Sequence, residues 1–566
     1  MTSSKRLASG ILAALLLSLC AAGFAKAPAP VQAENGMVVT AQHLASQVGL
    51  DVLEAGGNAV DAAVAVGYAL AVTLPSAGNI GGGGFMLVHL EDGQDIFINF
   101  REKASLDATA DMYLDDDGEV IPGASTGTYL GVGVPGTVMG LEHAREEYGT
   151  MTREELLEPA IKLARDGFEL VQGDDVLTAP LDAFRAEENV AAIFLNDGDR
   201  WQIGDTLVQS QLADTLQLIS DEGPDAFYRG AIAEAIVEAS DENDGILTME
   251  DFENYEIAEY EPVRCDYRGY EIVSAPPPSS GGATICLIMN VLEEYPLGYL
   301  GFNSAQTVHY MVEAMRHAYV DRNSYLGDPE FIDNPLDRLL DKDYAAEIRE
   351  QISSGRATAS EDVAPGTPPH EGTETTHYSI VDSDGNAVAV TYTINLGYGV
   401  KKIAGDTGFF LNNELDDFTS KPGVPNAFGL VQGEANAVGP GKTPLSSMSP
   451  TLVNKDGDIF MVTGSPGGAR IITITLESIL NVIDHGMDVQ AAIDAPRIHH
   501  QWLPDTIYAE PFALSRDTQR LLEQMGHTID DSGTWGVAEA ILVDPETGLL
   551  HGAHDSRRPA GSALGH

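Results

Sequence analysis

The order of hydrophobic and polar residues predicts helices near the start of the chain and at four later places. Residues 43–55 are amphipathic, Gly56-Gly57 ends that run, and residues 59–72 are apolar on nearly all faces. The second pattern is typical of a helix buried between layers, so residues 41–73 predict two helices. Helical periodicity returns at 152–166, 206–221, 228–240 and 304–322, and the PPPSSGG segment at 276–282 is predicted to be irregular.

β-Hairpins are the second predicted element, and they occur in both halves of the chain. Gly81 to Gly84 predict a tight turn into 85–100, where two alternating runs flank an acidic Asp-Gly turn. Four hairpins with long helices between them predict stacked sheets flanked by helices rather than a doubly wound parallel sheet. The three later hairpins are predicted at 377–394, 451–462 and 539–552.

Residues 351–374 separate the two halves. They lose periodicity and collect Ser, Thr, Gly and Pro. This composition predicts a linker.

The chain is strongly acidic but still rich in apolar residues. It has 31 Lys+Arg against 86 Asp+Glu, a net charge of −55, and 43% of its residues are hydrophobic. The apolar share is enough for a large core and argues against a disordered acidic polymer. Because such a polyanion repels nucleic acids and anionic lipids, the expected substrates are small molecules or peptides, with no nucleic-acid or membrane partner.

The first 33 residues are predicted to be an export signal. Lys5 and Arg6 precede the apolar run 11–19, and small residues follow it. The run is shorter than the ~20 apolar residues of a membrane span. Cleavage after Ala25 and cleavage after Ala33 both satisfy the small-residue rule, and the exported chain is expected to be periplasmic or secreted.

Removal of this signal makes the chain more acidic still, because it takes away three of the 31 basic residues and no acidic residue. Such an excess of acid predicts a saline habitat, where salt shortens the repulsion between charges to a few Å. The alternative is an ordinary acidic secreted protein.

Two cysteines, Cys265 and Cys286, remain after export. An oxidising compartment would allow them to pair. However, Cys286 lies in an apolar stretch, and buried free cysteines are common. The expectation is therefore no disulfide and no catalytic thiol.

A Thr-rich hairpin follows the linker and contains a candidate nucleophile. Thr375 opens the hairpin, and Thr391, Thr393 and Asn395 lie on or after its return strand. Threonine favours strands, so the segment could be purely structural. A Thr hydroxyl needs a neighbouring base, and an N-terminal Thr has one in its own α-amino group, with a pKa near ~8. That chemistry requires cleavage of the Glu374–Thr375 bond.

The sequence predicts no metal and no organic cofactor. It lacks an HExxH motif and a cysteine-rich metal spacing. Gly441-Lys442-Thr443 resembles the end of a phosphate loop, but Asn436 stands where that loop requires its first Gly. Adjacent side chains point apart, so His499 and His500 are expected to be structural or hydrogen-bonding residues.

Several long and uncommon motifs are typical of one family. They are GGNAVDAAVAVGYALAVT at 56–73, GNIGGGGFMLV at 78–88, FRE at 100–102, PPPSSGG at 276–282, TTHYS at 375–379, PLSSMSPT at 444–451 and GSPGGARI at 464–471. From about Gly36 to its C-terminus, the chain resembles a γ-glutamyltranspeptidase, also called glutathione hydrolase, of the N-terminal-nucleophile hydrolase class. The resemblance implies an α/β fold, a four-layer αββα sandwich, made of two chains after self-cleavage.

The same resemblance implies how the precursor divides and which residues act. Cleavage before Thr375 gives a large subunit, 34–374, and a small catalytic subunit, 375–566. Glycines suit an oxyanion hole because backbone N–H groups can approach a developing oxyanion without a side chain between them. The residues that match the family's catalytic groups are Thr375 as nucleophile, Thr393 as the holder of its hydroxyl, and Gly467 and Gly468 as the oxyanion hole.

A γ-glutamyl group presents an α-carboxylate and an α-ammonium, so its site needs donors for one and acceptors for the other. An arginine provides a planar fork that fits a carboxylate. The residues that match the family's binding groups are Arg101, Ser446 and Ser447 on the carboxylate side, and Asn395, Glu414 and Asp417 on the amino side.

Two features depart from the family pattern. Phe428 stands where bacterial relatives with a lid over the pocket usually carry Tyr, so a hydroxyl that latches the lid is lost. Lys401 and Lys402 are unusual in so acidic a chain, and they either answer local acidic repulsion or contact an anionic substrate.

The implied reaction is attack by Thr375 on a γ-glutamyl amide such as glutathione, followed by resolution of the acyl-enzyme by water or an acceptor amine. Two rivals remain. The first is the same fold acting on poly-γ-glutamate or on a cephalosporin-type donor, and the second is a non-enzymatic secreted scaffold. Arg101 and the two serines favour a glutamyl donor.

Overall fold

Two stacked sheets of seven strands each form the centre of the computed structural model, which describes residues 28–363, 375–531 and 533–566. Every pairing between neighbouring strands in these two sheets is antiparallel. Most of the predicted export signal and residues 364–374 of the predicted linker lie outside the described residues. Within the described ranges, no helix combines the length and the apolar character needed to cross a membrane.

Each sheet contains two of the four predicted hairpins, which are confirmed. From edge to edge, the first sheet is ordered Ser562–Gly565, Met37–Thr40, Thr376–Val381, Ala387–Thr393, Gly83–His89, Asp95–Phe100 and Ala258–Tyr260. The second sheet is ordered Val31–Ala33, Leu550–His554, Glu539–Val543, Asp458–Gly464, Thr451–Lys455, Tyr270–Ser274 and Val263–Tyr267. Two small sheets contain Ile498–His499, Ile507–Ala509 and Ile529–Asp531, and Phe168–Glu169 with Thr206–Leu207.

Alternation along the strands explains the stacking. On Gly83–His89, Phe85 and Leu87 pack into a core shared by the two sheets, whereas Met86 and Val88 pack against helices. Because successive side chains of a strand point to opposite faces, each sheet has one face for its partner sheet and one for helices.

Helices cover both outer faces. The longer helices over the first sheet are His43–Glu54, Ala59–Thr73, Thr137–Tyr148, Arg153–Asp166, Ser210–Glu222 and Ala231–Glu242. Those over the second sheet are Gly281–Leu292, Ala305–Tyr325, Lys342–Gln351, Ile471–Ile483 and Arg516–Met525. The layer order is therefore helix, sheet, sheet, helix, and the predicted four-layer sandwich is confirmed.

The helix Ala59–Thr73 shows how local sequence fixes this arrangement. Asn58 and Asp61 form a reciprocal capping box at its start, and all of its residues are buried. Asp61 also accepts hydrogen bonds from the backbone of Thr150 and Met151. The buried carboxylate thus has hydrogen-bond partners, and it links the helix to the loop before the neighbouring helix Arg153–Asp166.

Two predicted helices begin later than the periodicity indicates. The helices predicted at 206–221 and 228–240 start at Ser210 and Ala231, because the residues before them form a short strand and a separate short helix. The PPPSSGG segment runs directly into helix Gly281–Leu292.

The expectation of two free cysteines is wrong, because Cys265 and Cys286 form a disulfide. Cys265 lies on strand Val263–Tyr267, and Cys286 lies on helix Gly281–Leu292, which packs against that strand. Cys286 is fully buried, as its apolar neighbours indicate. The helix packs on the edge of the sheet, and this packing places the Cys286 sulfur beside the strand that carries Cys265. A local sequence pattern cannot predict such a long-range contact.

Removal of the disulfide is expected to lower thermal stability. The cysteines are 21 residues apart, and a cross-link closing a loop of that size is worth about 3 kcal/mol. The Cys265→Ser, Cys286→Ala double variant should melt several degrees earlier than the wild type in a calorimetric scan, and reductant should shift the wild type equally. An unchanged melting temperature after reduction verified by intact mass would contradict this expectation.

Candidate active site

Thr375 lies at the start of a central strand of the first sheet. Strand Thr376–Val381 pairs with Ala387–Thr393 so that Thr376 faces Tyr392, and the same register places Thr375 opposite Thr393. The Thr375 hydroxyl donates to Thr393 Oγ1 at 3.4 Å, and the Asn395 backbone N–H donates to the same oxygen at 2.8 Å. The predicted reach across the hairpin is therefore present in the structure.

Glycines allow the neighbouring strand to approach this pair closely. A Cβ atom on Gly82 would lie 2.1 Å from the Thr393 carbonyl oxygen, and one on Gly84 would lie 2.4 Å from Tyr392 Cβ. The Thr393 carbonyl also accepts a hydrogen bond from Asn79 Nδ2 at 2.9 Å. The glycines at 81–84 thus allow the close strand packing that holds Thr393 in place. Asn79 is a positioning residue that sequence reasoning missed.

The predicted oxyanion glycines lie at the turn between strand Asp458–Gly464 and helix Ile471–Ile483. Gly467 and Gly468 have φ of 142° and 56°, a region that favours glycine. Gly468 lines the same pocket as Thr375. The helix that follows directs its positive dipole end toward this turn, which suits a developing negative charge.

One pocket collects the predicted binding residues around Thr375. Its polar lining is Arg101, Thr375, Thr393, Asn395, Glu414, Asp417, Ser446 and Ser447, with the Gly468 backbone. Its apolar lining is Phe428, Leu430, Met448, Ala469 and Ile471. Of the ten predicted site residues, nine line this pocket, and Gly467 directly precedes one of them.

Arg101 holds the two acids of the pocket together. Its Nη1 donates to Glu414 Oε1 at 2.6 Å, its Nη2 donates to Asp417 Oδ2, and its Nε donates to the Pro444 carbonyl at 2.9 Å. A guanidinium has five N–H groups, so one N–H on each terminal nitrogen has no hydrogen-bond partner among the described residues. Arg101, predicted for the donor's carboxylate, and Glu414 and Asp417, predicted for its amino group, thus form one ion-paired cluster. Two N–H groups of Arg101 remain for a ligand.

Burial sets the charge state of these acids. It raises the pKa of Glu414 to about 7 and the pKa of Asp417 to about 6, because desolvation outweighs the attraction of Arg101. Glu102 lies beside them, fully buried, and burial and Glu414 raise its pKa well above its usual value. Sequence reasoning missed Glu102, although the FRE tripeptide contains it.

The two pocket serines are held by residues outside the predicted set. The Arg322 guanidinium donates to Ser447 Oγ at 3.1 Å and to Ser280 Oγ at 3.1 Å, and Ser280 in turn donates to the Ser446 carbonyl at 2.6 Å. Arg322 is 1% exposed, and burial lowers its pKa to about 10. Ser280 of the PPPSSGG motif therefore helps to position Ser446, and Arg322 helps to position Ser447. Helical periodicity could not identify Arg322 as a hydrogen-bond partner of these serines.

The segment around Phe428 keeps its place without a hydroxyl. Asn426 Oδ1 accepts the backbone N–H groups of Phe428 and Leu430, each at 3.1 Å, and Asp416 accepts that of Ala427 at 3.0 Å. Phe428 is 5% exposed and lines the pocket. The departure from Tyr thus leaves an apolar wall held by side chain to backbone hydrogen bonds.

The two adjacent lysines have different surroundings. Lys402 Nζ forms an ion pair with Glu187. This supports the interpretation that Lys402 offsets local acidic repulsion. Lys401 Nζ donates to the Gly399 carbonyl at 3.4 Å, and burial lowers its pKa. Among the described residues Lys401 forms no ion pair.

Histidines away from the pocket are hydrogen-bonded structural groups. His499 bonds to Thr473 and Gln501, and His500 lies 3.3 Å from Asp505, as expected from their adjacent positions. His309, Glu313 and His527 lie close enough to hold a cation. However, His309 Nδ1 and His527 Nε2 are hydrogen-bonded to each other at 2.8 Å, and Arg316 lies 3.5 Å from Glu313, so each group already has a protein partner.

Comparisons with known proteins match one family over nearly the whole chain. Residues 45–565 match the family model described as gamma-glutamyltranspeptidase. A glutathione hydrolase proenzyme of Pseudomonas sp. (strain A14) is 58% identical over 575 residues, covering 100% of this chain and 99% of the relative. One of Escherichia coli (strain K12) is 49% identical over 562 residues, covering 96% and 97%. The structure of a cephalosporin acylase from Bacillus halodurans matches with a TM-score of 0.81 and 28% identity, over 96% of this chain and 98% of that one.

A threonine at the start of a central strand, in a sandwich of two antiparallel sheets between helical layers, defines an N-terminal-nucleophile hydrolase. Within that class, the chain belongs to the gamma-glutamyltranspeptidase family. The class, the family and the enzymatic function predicted from the motifs are thereby confirmed.

Proposed function

We propose that the chain cleaves itself between Glu374 and Thr375 and then transfers or hydrolyses γ-glutamyl groups. The proposal rests on one observation: Thr375 opens a strand with its hydroxyl on Thr393, in the same pocket as an Arg101–Glu414–Asp417 cluster. The freed α-amine acts as base, and Thr375 Oγ1 attacks the γ-carbonyl carbon. Gly467 and Gly468 stabilise the oxyanion, the amide C–N bond breaks, and the leaving amine takes the proton that the Thr375 α-amine removed from Oγ1. Water or an acceptor amine then attacks the ester, which releases the γ-glutamyl group and returns the proton to Oγ1.

Glutathione is the proposed donor, with the γ-glutamyl end in the cluster. The two remaining N–H groups of Arg101 suit its α-carboxylate, together with the Ser446 and Ser447 hydroxyls. Glu414, Asp417 and Asn395 suit its α-ammonium. The charged cluster and the glutathione hydrolase names of the 58% and 49% identical relatives favour this donor over a cephalosporin-type donor, since the acylase structure is 28% identical.

Intact mass spectrometry with an anilide assay tests the proposal. The purified protein should consist of two chains that meet at Glu374–Thr375 and should release p-nitroaniline from γ-glutamyl-p-nitroanilide. Two chains with activity only on a cephalosporin side chain would favour the acylase alternative. One full-length chain without activity would favour the scaffold.

The KM for a γ-glutamyl donor should fall as the pH rises through the range from 6 to 7. Burial raises the pKa of Asp417 to about 6 and that of Glu414 to about 7, so Asp417 is half charged near pH 6, Glu414 is half charged near pH 7, and both acids are largely charged for the donor ammonium only at about pH 8. KM measured from about pH 5 to 8 checks this. Glu414→Gln should raise KM at the upper end and flatten the profile, and a wild-type KM that is independent of pH would contradict the assignment.

Export to the periplasm or the medium is proposed from the N-terminal signal, with cleavage after Ala25. Strand Val31–Ala33 pairs with Leu550–His554 at the edge of the second sheet. Cleavage after Ala33 would remove this strand, whereas cleavage after Ala25 would keep it. The large subunit would then begin at Lys26 instead of Glu34, which N-terminal sequencing of the exported protein can decide.

A saline habitat is proposed from the net charge of −55. Raising NaCl from ~0.1 M to above 1 M shortens the Debye length from ~10 Å to ~3 Å and relieves repulsion among surface acids. Melting temperature and activity should therefore both rise with salt, the former by several degrees. A protein that melts no later in high salt is an ordinary acidic secreted protein.

A further inference from the structure

Arg322 is a buried cation whose hydrogen-bond acceptors are all neutral. It lies on helix Ala305–Tyr325 and is 1% exposed, and burial lowers its pKa only to about 10, so it stays charged at neutral pH. Its N–H groups donate to Ser280 Oγ at 3.1 Å, Asn323 Oδ1 at 3.1 Å, Gln432 Oε1 at 2.7 Å and Ser447 Oγ at 3.1 Å. Among the residues that the structure describes, Arg322 forms no ion pair. Because a buried charge without a counter-charge is costly, this arrangement indicates an anionic ligand nearby.

Three other arginines of the protein are similarly buried, at most 3% exposed, and all of them have acidic partners. The pairs are Arg101 with Glu414 and Asp417, Arg316 with Asp505, and Arg497 with Asp555. The chain has 86 acidic and 31 basic residues, so acidic partners are plentiful. Arg322 is therefore the exception among these four arginines, and its position beside the pocket needs an explanation.

Ser447 connects Arg322 to the catalytic pocket. It lines the pocket, and its Oγ accepts the hydrogen bond from Arg322. A serine hydroxyl has one hydrogen and two lone pairs, and a guanidinium is a donor only, so the Ser447 hydrogen cannot point at Arg322. That hydrogen has no acceptor in the described ranges. The Ser447 hydroxyl can therefore donate to an anion in the pocket.

Gln432 connects Arg322 to the opposite side of the pocket. Its Oε1 accepts from Arg322 Nη1 at 2.7 Å, and its Nε2 donates to the Asp417 carbonyl at 3.0 Å. Asn436 Nδ2 donates to the same carbonyl at 2.6 Å. Arg322 thus helps to position the backbone of an acid predicted for the donor's amino group, as well as a serine predicted for its carboxylate.

Arg322 also offsets negative charge in the pocket. When Glu414 and Asp417 are both ionised, they outweigh Arg101 by one negative charge, and this excess opposes the entry of a carboxylate. Burial raises the pKa of Asp417, and attraction to Arg101 and to Arg322 opposes that rise, so the Arg322 charge reaches the pocket acids. With Arg322, two cations match two acids, which suits a head group that carries both a carboxylate and an ammonium.

We propose that Arg322 is a positioning residue that makes the enzyme select donors with a free α-carboxylate. It acts through Ser447, whose hydroxyl hydrogen it leaves to the pocket, and through its own charge, whereas Arg101 contacts the carboxylate directly. The inference rests on the proposed function and adds a specificity-determining residue to it. Because Arg322 touches neither the nucleophile nor the scissile bond, its effect falls on the KM for the donor and not on kcat.

Two donors that differ in one charge test the proposal. They are γ-glutamyl-p-nitroanilide and the same anilide with its α-carboxylate replaced by a carboxamide, and the wild type should have the lower KM for the first. In Arg322→Met, the KM for the carboxylate donor should rise about tenfold, the cost of weakening one charge-assisted contact. The KM for the carboxamide donor and both kcat values should stay close to those of the wild type. A merely structural defect would instead raise both KM values together.

Arg322→Lys and Arg316→Lys form a matched pair. Arg322→Lys keeps the charge but loses the fork, so its KM for the carboxylate donor should lie between those of the wild type and Arg322→Met. Arg316 is equally buried on the same helix and lies outside the pocket lining, so Arg316→Lys should leave the ratio of the two KM values unchanged.

The ratio of the two KM values decides the proposal. A wild-type ratio in Arg322→Met would overturn it, as would an equal rise of both KM values. If Arg322→Met fails to fold, a wild-type ratio in Arg322→Lys would overturn it in the same way. A wild type that hydrolyses neither anilide would instead overturn the proposed function itself.

Discussion

Thr375→Ala is expected to yield one unprocessed chain with no detectable γ-glutamyl hydrolysis. The substitution removes the hydroxyl that attacks the Glu374 carbonyl, and without cleavage the Thr375 α-amine is never freed as a base. Loss of a nucleophile of this kind costs at least about 10³-fold in rate. Denaturing electrophoresis and intact mass report processing, and the anilide assay reports turnover.

Two neighbouring substitutions make this test specific. Thr375→Ser keeps the hydroxyl and loses only the methyl group that restricts the rotamer, so it should still be processed and active, but more slowly. Thr376→Ala makes the same chemical change one residue later, on a side chain that faces away from the pocket lining, and should be processed normally. If Thr375→Ala protein still divided into two chains, another residue or an outside protease would make the cut. If it also hydrolysed the anilide, Thr375 would not be the nucleophile.

The layered fold was predictable because its signals are local. Hairpins such as 377–394 have two runs rich in strand-forming residues on either side of an Asp-Gly turn, and the apolar helix Ala59–Thr73 carries its own capping box. Pattern and turn chemistry agree in these segments, so tertiary packing had little to override. The disulfide was not predictable in this way, because Cys265 and Cys286 meet only when a helix packs on a sheet edge.

The site was predictable as a set of residues but not as a network. The resemblance to the family named Arg101, Glu414 and Asp417 separately, and the first two are 313 positions apart in sequence. Their direct ion pairing appears only in the fold. Glu102 and Arg322 are buried beside the pocket and do not line it. A pattern of apolar positions cannot identify a charged residue that is buried in this way.

Arg101→Lys is expected to raise the KM for a γ-glutamyl donor by about 10- to 100-fold while processing continues. Arg101 spans Glu414, Asp417 and the Pro444 carbonyl with three N–H groups and keeps two for a ligand. A lysine ammonium has three donors at one point, so it cannot hold both acids and the carbonyl and also bind a carboxylate bidentately. The retained charge avoids the larger loss of stability that an unpaired buried acid would cause.

Processing serves as the internal control for folding in this variant. Arg101 donates to Glu414, Asp417 and the Pro444 carbonyl, whereas Thr375 donates to Thr393, so the Lys variant should still separate into two chains. Lys103→Met, two residues along the same segment and outside the pocket lining, should leave KM unchanged. A wild-type KM in Arg101→Lys would mean that the guanidinium only pairs Glu414 with Asp417 and never touches the donor. A raised KM with normal processing would show that donor binding needs the guanidinium, through its contact with the α-carboxylate or through the two acids that it holds.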